Sequence, residues 1–504
     1  MHYSVCFVNR LGECSLRTLH PSSLTCGYMG GESAARMPTI NLDNHRGGRM
    51  DTGTETRLPS PGVPAAEWIA FDHAVRRTSI WSYTSPVETP EAVKLCHADG
   101  RIREAALRAP TPRLSPLLEL VVIRCADWVP AVRARARQVL AAALADDPAG
   151  TLRRLTPLVV RLGRREQGAW APARFEDVLN EDHGLLGELR GSPDPQTRRF
   201  AARLTLGAGL LDVRELAALA ATELDPPTSG LWTDATLAAL ACDGPDDEAV
   251  DTLLGGRGQM VRAAGVTALR GAGRAAEAAD HLCDRSGMVR ACARWLVRQA
   301  GGDPRPLCRE LLADPAHVTP YAVTGFAECA RREDAPLLRA LLEHPAGQVR
   351  AAAVGGLRLL DVTDVEQLRP LLDDPAPAVA REVARSLGAS ADRLPADWLM
   401  ARIAPGRPSH TRRAAYRLLF ARGGVAGLRA SVELLTDRDP ALRTIAAQRV
   451  QSMWSPNRPP DLPARDPEVG ALLDRCTHLF SDYVMRRMRY GLGLPVAAAP
   501  ADAY

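Results

Sequence analysis

Glu343-His344-Pro345-Ala346-Gly347-Gln348-Val349-Arg350-Ala351-Ala352-Ala353-Val354-Gly355-Gly356-Leu357 is the stretch whose reading decides the fold. It reads as an acidic turn with proline, a Val-Arg pair, and an Ala-rich amphipathic helix. The same sentence recurs at Val261-Arg262, Val289-Arg290, Val379 with Arg381, and Leu442-Arg443. Arg262 and Arg290 are 28 residues apart; Arg350, Arg381, Arg412 and Arg443 follow one another at 31. A fixed period between about 20 and 50 residues is the signature of a solenoid, in which each unit buries its apolar face only on its neighbours. The spacing therefore predicts an all-α fold, a right-handed α-solenoid of about ten helix-pair repeats with a period of about 28–31 residues. Its second helices line the inner, concave face.

Working outward, Val349, Ala353 and Leu357 fall at i, i+4 and i+8, as do Val379, Val383 and Leu387, giving one apolar stripe per second helix. Ser192-Pro193-Asp194-Pro195 is a helix start, with Asp194 as the capping residue for the first-turn N–H groups. Seven segments follow from these signals. Residues 1–58 are a disordered leader, with Met37 or Met50 read as the native start. Residues 59–165 hold N-terminal repeats, 166–182 an irregular insertion and 183–455 the regular array. A Pro-rich linker (456–468), a capping helix (469–490) and a disordered tail (491–504) end the chain.

Composition narrows the function classes. Formal charge is +4 from 63 basic and 59 acidic residues, too even a balance to argue for nucleic acid by itself. Lys94 is the sole lysine; with the Ala, Arg, Pro and Gly excess this reads as the coding bias of a high-GC bacterial genome. The 11 cysteines are scattered without a Cys-x-x-Cys pair, which suits reduced thiols in a cytoplasm. No apolar run is long enough for a transmembrane helix.

The repeat resembles the HEAT-repeat family, in particular the short HEAT-like repeats of phycobilisome lyases. Asp374-Pro375, Val379, Arg381, Ala384, Leu387 and Gly388 match its pattern, as do Asp439-Pro440, Leu442, Arg443 and Ala446. The resemblance runs from about Thr89 to Met453 and is weakest across 166–182 and 207–254. In that family the Asp and Arg near the second helix pair between neighbouring repeats. The resemblance thus implies that Arg262, Arg290, Arg350, Arg381 and Arg443 belong to a structural ladder, together with Arg133 and Arg198.

Candidate chemistry is sparse. Asp127-Trp128 resembles the carboxylate-aromatic pair of HEAT-like alkylpurine DNA glycosylases, but the same pair recurs at the helix start Asp397-Trp398. His281, Cys283, Cys292 and Cys308 match no common zinc spacing. His183 stands beside Glu181 and Asp182 without a nucleophile. Gly255-Gly256-Arg257-Gly258 lacks the Lys-Ser/Thr ending of a phosphate loop. The sequence accordingly predicts no catalytic, metal or cofactor residues. It predicts a scaffold for a protein or peptide partner, with Trp128, Arg133, Trp170, Phe175 and His183 as contact residues. A nucleic-acid-binding or DNA-repair protein is the second reading and a bilin-lyase-like activity the third; no membrane partner is expected.

Overall fold

Asp-Pro pairs start six of the helices. In a computed structural model, which describes residues 3–8, 14–19, 58–60, 62–79, 90–454 and 461–496, every element from Ala65 onward is helical. The carboxylates of Asp147, Asp194, Asp225, Asp303, Asp439 and Asp466 accept first-turn N–H groups, and proline follows each at N1, where no N–H is needed.

The chain divides into two compact units, meeting in sequence at Gly273 and Arg274. The first holds α1 (Ala65–Ser79), α2 (Glu91–Cys96), α3 (Gly100–Ala106), α4 (Thr111–Leu114), α5 (Leu118–Arg124), α6 (Pro130–Asp146) and α7 (Pro148–Leu162). It continues with α8 (Trp170–Glu181), α9 (His183–Arg190), α10 (Pro195–Gly207), α11 (Val213–Thr222), α12 (Pro226–Asp243), α13 (Asp247–Leu254) and α14 (Gln259–Ala268). Lys94, on α2, pairs with Glu91 at 3.1 Å. Leu120, Ile123, Val132, Leu140, Leu155 and Phe175 belong to one continuous core cluster. The second unit holds α15 (Gly287–Gln299), α16 (Pro304–Glu310), α17 (Pro320–Ala327), α18 (Ala335–Ala340), α19 (Gly347–Leu359), α20 (Val365–Leu368) and α21 (Pro377–Ser386). It ends with α22 (Ala396–Ile403), α23 (Ser409–Arg422), α24 (Gly424–Leu434), α25 (Pro440–Ser452), α26 (Pro467–Arg475) and α27 (Asp482–Gly491). Its second helices α17, α19, α21 and α23 pack on one another in order, as a solenoid requires. The predicted stripes Val349–Ala353–Leu357 and Val379–Val383–Leu387 are both buried.

Several expectations are corrected. The stretch 166–182 is not irregular: it carries α8, with Phe175 and Leu179 in the core. Gly168 makes this possible, because a Cβ there would lie 2.0 Å from the Leu162 carbonyl oxygen. The chain can therefore reverse directly after α7. The single capping helix at 469–490 is instead α26, a 3-10 turn (Thr477–Leu479) and α27. Phe480 is extended, and the Ser481 hydroxyl accepts from Val484 N to start the last helix. The tail begins ordered, since Leu492 and Leu494 are buried against α26 and α27. Within the leader, Tyr3–Val8 (β1) and Cys14–Leu19 (β2) form a two-stranded sheet where no structure was expected. Residues 20–57 and 80–89, the start of the expected linker at 455–460 and the expected tail beyond 496 lie outside the described residues.

Candidate interaction surface

One arginine device recurs at the turns that lead into second helices. Counting from the first helical residue, N1, the arginine stands at N1+3. Its Nη1 donates to carbonyls six and five residues back: His97 and Ala98 for Arg103, Ser192 and Pro193 for Arg198, His344 and Pro345 for Arg350. Its Nε and Nη2 form a fork on a carboxylate at N1−3 of the following second helix. Arg103 grips Asp127 at 3.0 and 2.8 Å, Arg198 grips Glu223 at 3.0 and 2.9 Å, and Arg350 grips Asp374 at 2.8 and 2.7 Å. Arg412 reaches Asp437 with Nη1 and Nη2, while its Nε donates to the Ile403 carbonyl. The carboxylate also accepts a backbone N–H two residues on, as at Val129, Asp225, Ala376 and Asp439. Paired, planar donors match a carboxylate better than a point charge does.

Where one half of the device is missing, so in most repeats is the other. Ala173 is followed by Ser192, Ser229 by Gly256, Val323 by His344 and Ala380 by Gly406 at the corresponding places. Three arginines depart from the rule. Arg290 meets no acid at His317 and forks instead onto Glu328, at 3.0 and 2.5 Å, a carboxylate it shares with Arg294. Arg443, at the end of the array, donates to the Asp437 and Arg438 carbonyls and has no carboxylate among the described residues. Arg133 donates from Nη1 to the Asp127 and Trp128 carbonyls, at 2.8 and 3.5 Å, and it too has no carboxylate among the described residues. The place that would supply one, N1−3 of α8, is Gln167.

Of the expected ladder residues, Arg290 and Arg350 bridge to carboxylates in later turns. Arg262 is buried and donates to the Gly256 and Arg257 carbonyls. Arg381 is corrected. It lies one residue past N1+3, which is Ala380, and that step of about 100° turns it to solvent, with no ion pair or hydrogen bond among the described residues.

The turn Asp127-Trp128-Val129-Pro130 stands over a buried charge cluster. Asp127 is held by Arg103 and by Arg124 (3.2 Å), and Arg124 also meets Asp72 at 2.5 Å. With the Asp127 carboxylate so enclosed, it is not free to face a cationic base. Burial, reinforced by Asp72, raises the Cys96 thiol pKa strongly; burial pushes Cys125 up to about 12, against the pull of Arg137 and Arg124. Both remain protonated thiols at neutral pH and are poor nucleophiles. Among the described residues no group of three or more His, Cys, Asp or Glu side chains is arranged to hold a metal.

Trp128 is 69% exposed, yet its loop is fixed from both sides, and Arg103 lies 5.7 Å from the ring centroid. Trp170 is half-buried with Arg137 at 5.2 Å, and Arg137 ties the Cys125 and Gln167 carbonyls together. Desolvation lowers the pKa of Arg137, and that of Arg165, which also feels Arg124. His183 is exposed at the first position of α9, which Asp182 caps through Gly184 N. Phe175 is corrected: it is fully buried and cannot touch a partner. The structure thus brings Trp128 and Arg133 together, sets Trp170 on the Arg137 side of the same turn, and removes Phe175. Arg103, Arg124, Arg137 and Gln167 escaped the sequence reading; the signal for Arg103 was its place six residues after His97. A groove of about 730 Å³ lies elsewhere in this unit, between the start of α1, α7 and the turn before α10, with Arg153 paired to Glu188 and Arg154 to Glu119 on its walls.

Comparison with known proteins gives a family-model match, described as HEAT repeats, over residues 335–420. No curated protein matches the chain. Among solved structures, an engineered protein aligns at 20% identity over 73% of this chain and 98% of its own, with a TM-score of 0.24. Kap121p aligns at 14% identity over 84% of this chain, TM-score 0.30, and Kap121p bound to Nup53p at 13% over 83%, TM-score 0.31. The chain spans about half the length of Kap121p, 51% and 54% in those two alignments.

Proposed function

We propose that this HEAT-repeat protein is a non-enzymatic scaffold that binds a protein or peptide partner. The observation that carries the reading is the fixed exposure of Trp128. A large ring left 69% open on a loop locked by Arg103, Val129 N and Arg133 has already lost the freedom that binding would otherwise cost. Rigid aromatic side chains beside arginine are the common anchors of interfaces. Leu224, at the equivalent turn before α12, and Met260, at the start of α14, are also exposed in this unit. The contact is therefore proposed along the edge where first helices turn into second helices, beside the concave face expected from the repeat pattern. The described cysteines are free thiols, which supports a reducing compartment such as a cytoplasm.

The test is site-specific photo-crosslinking in native extract, with a photoreactive phenylalanine replacing Trp128 or, as control, Arg381. A discrete protein adduct at 128 and none at 381 is expected. Absence of any adduct at 128 removes the anchor. A nucleic-acid partner is disfavoured because four ladder forks are already filled by carboxylates. A nucleic-acid adduct whose yield falls steeply between about 50 and 200 mM salt would reverse that preference.

A further inference from the structure

We propose that Arg133 is a vacant rung of the ladder and that a carboxylate side chain from an acidic peptide segment of the partner completes it. The proposal rests on the scaffold reading and names the chemistry the partner brings to the Trp128 edge.

The argument comes from copies within the same chain. In Arg103, Arg198 and Arg350, Nη1 is pinned to two carbonyls of the preceding turn, and the opposite edge of the rigid guanidinium carries a carboxylate. Arg133 has the first half of this arrangement, through the Asp127 and Trp128 carbonyls. A planar guanidinium pinned through Nη1 must aim Nε and Nη2 away from that turn, as in the filled copies. Nothing among the described residues receives them. The corresponding N1−3 position holds neutral Gln167, whose backbone carbonyl accepts from Arg137. Repeats without the arginine also lack the acid, at Ala173 with Ser192 and Ser229 with Gly256. At the described N1+3 places of the first unit, Arg133 is the arginine whose matching N1−3 place holds no acid, and it stands beside the exposed Trp128.

The ligand class follows. A bidentate, coplanar fork on a half-exposed arginine selects a carboxylate, and the adjoining indole accepts an apolar neighbour in the same segment. An extended peptide with an acidic residue next to a leucine-sized one fits both. A nucleic-acid strand would use the fork through phosphate, which makes it the competing outcome of the test.

Two experiments on the full chain test this. The first needs no partner. Gln167→Glu should supply the missing carboxylate in cis and raise the thermal midpoint, with no gain when Arg133→Ala is also present. A Gln167→Glu chain no more stable than the parent overturns the vacant-rung geometry. The second uses a fluorescein-labelled Gly/Ser peptide carrying Leu-Asp-Glu-Leu, and its Leu-Asn-Gln-Leu twin, read by anisotropy. Arg133→Ala, Gln167→Glu and the amide peptide should each weaken binding about tenfold, and Arg133→Ala with the amide peptide should weaken it no further than either change alone. Arg135→Ala, on the far side of α6, should change it less than about twofold. Additive losses, no binding at about 1 mM acidic peptide, or a single-stranded DNA 12-mer bound with the same Arg133 dependence each overturn the carboxylate assignment. Trp128→Ala separates the two readings. If it alone removes peptide binding while Arg133→Ala does not, the vacant rung fails and the anchor stands; if only Arg133→Ala removes it, the anchor fails and the rung stands.

Discussion

At the scale of single residues, position within a turn of helix decides what an arginine does. Arg350 and Arg381 look alike in sequence, each close behind a valine at the start of an Ala-rich helix. Arg350 forks onto the buried Asp374, whereas Arg381 points to water. Arg350→Ala should cost about 3–5 kcal/mol, because it strands a buried carboxylate. Arg381→Ala should stay within about 0.5 kcal/mol. Urea denaturation of the two variants checks this, and equal losses would remove the distinction. The aromatics divide in the same way. Phe175→Ala should cost about 3–5 kcal/mol through the cavity it leaves, while Trp128→Ala should cost about 1 kcal/mol or less and act on binding instead. The sequence could not separate them: α8 does not show its period while Trp170, Pro172 and Phe175 read as a loop, so burial of Phe175 was hidden. Trp128 was legible as a contact residue because Asp127-Trp128-Val129-Pro130 reads as a helix-leading turn in any case.

At the scale of the element, one sequence motif proves to be two devices. Asp439-Pro440 is a helix cap followed by N1, with Asp439 accepting from Ala441 N. Asp374-Pro375 lies earlier, in the turn, where Asp374 receives Arg350 and Ala376 N. The spacing of the repeat was legible without this distinction, since both forms recur with the period. The identity of the rungs was not, because pairing depends on a residue about 25 positions away in the next turn. The rungs also make the fold acid-sensitive. Burial alone would raise Glu223 and Asp374, but the hydrogen bonds from Arg198 and Arg350 outweigh it and hold both carboxyls below their usual range. For Asp437 the Arg412 hydrogen bonds lead. Asp334 sits at about 2: burial opposes ionisation, and hydrogen bonds from Arg305, Arg331 N and Arg309 overcome it. A carboxyl depressed in the folded state adds stability that is present above its unfolded value, near 4, and is lost as pH falls through the folded value. Unfolding free energy should therefore hold above about pH 4 and fall between about pH 4 and 2. Asp374→Asn should lower the plateau and shallow that slope; a slope unchanged from the parent would take Asp374 out of the linkage.

At the scale of the whole molecule, each of two compact units of stacked helix pairs carries copies of the arginine–carboxylate fork and is stabilised by contacts between neighbouring helices. In such an array a defect spreads only as far as adjacent repeats feel it. Amide exchange in Arg350→Ala should quicken in α19 and α21 and leave α5, α6 and α7 at their parental rates. Uniform acceleration in both units would show a cooperativity the nearest-neighbour picture does not allow. The solenoid class was legible from period alone, whereas the ends of the array were not. Capping elements obey local solubility and need no repeat, so the break at Phe480 and the packing of Leu492 and Leu494 carry no periodic signal.

The sole lysine has a practical use. Lys94 is paired with Glu91 on α2, and its side chain is 21% exposed. Apart from an α-amine, it is the only primary amine in a chain otherwise made basic by arginine. An activated-ester dye applied above neutral pH should therefore mark the first unit at one internal address, giving a fluorescence reporter of events near its helices without any engineered cysteine.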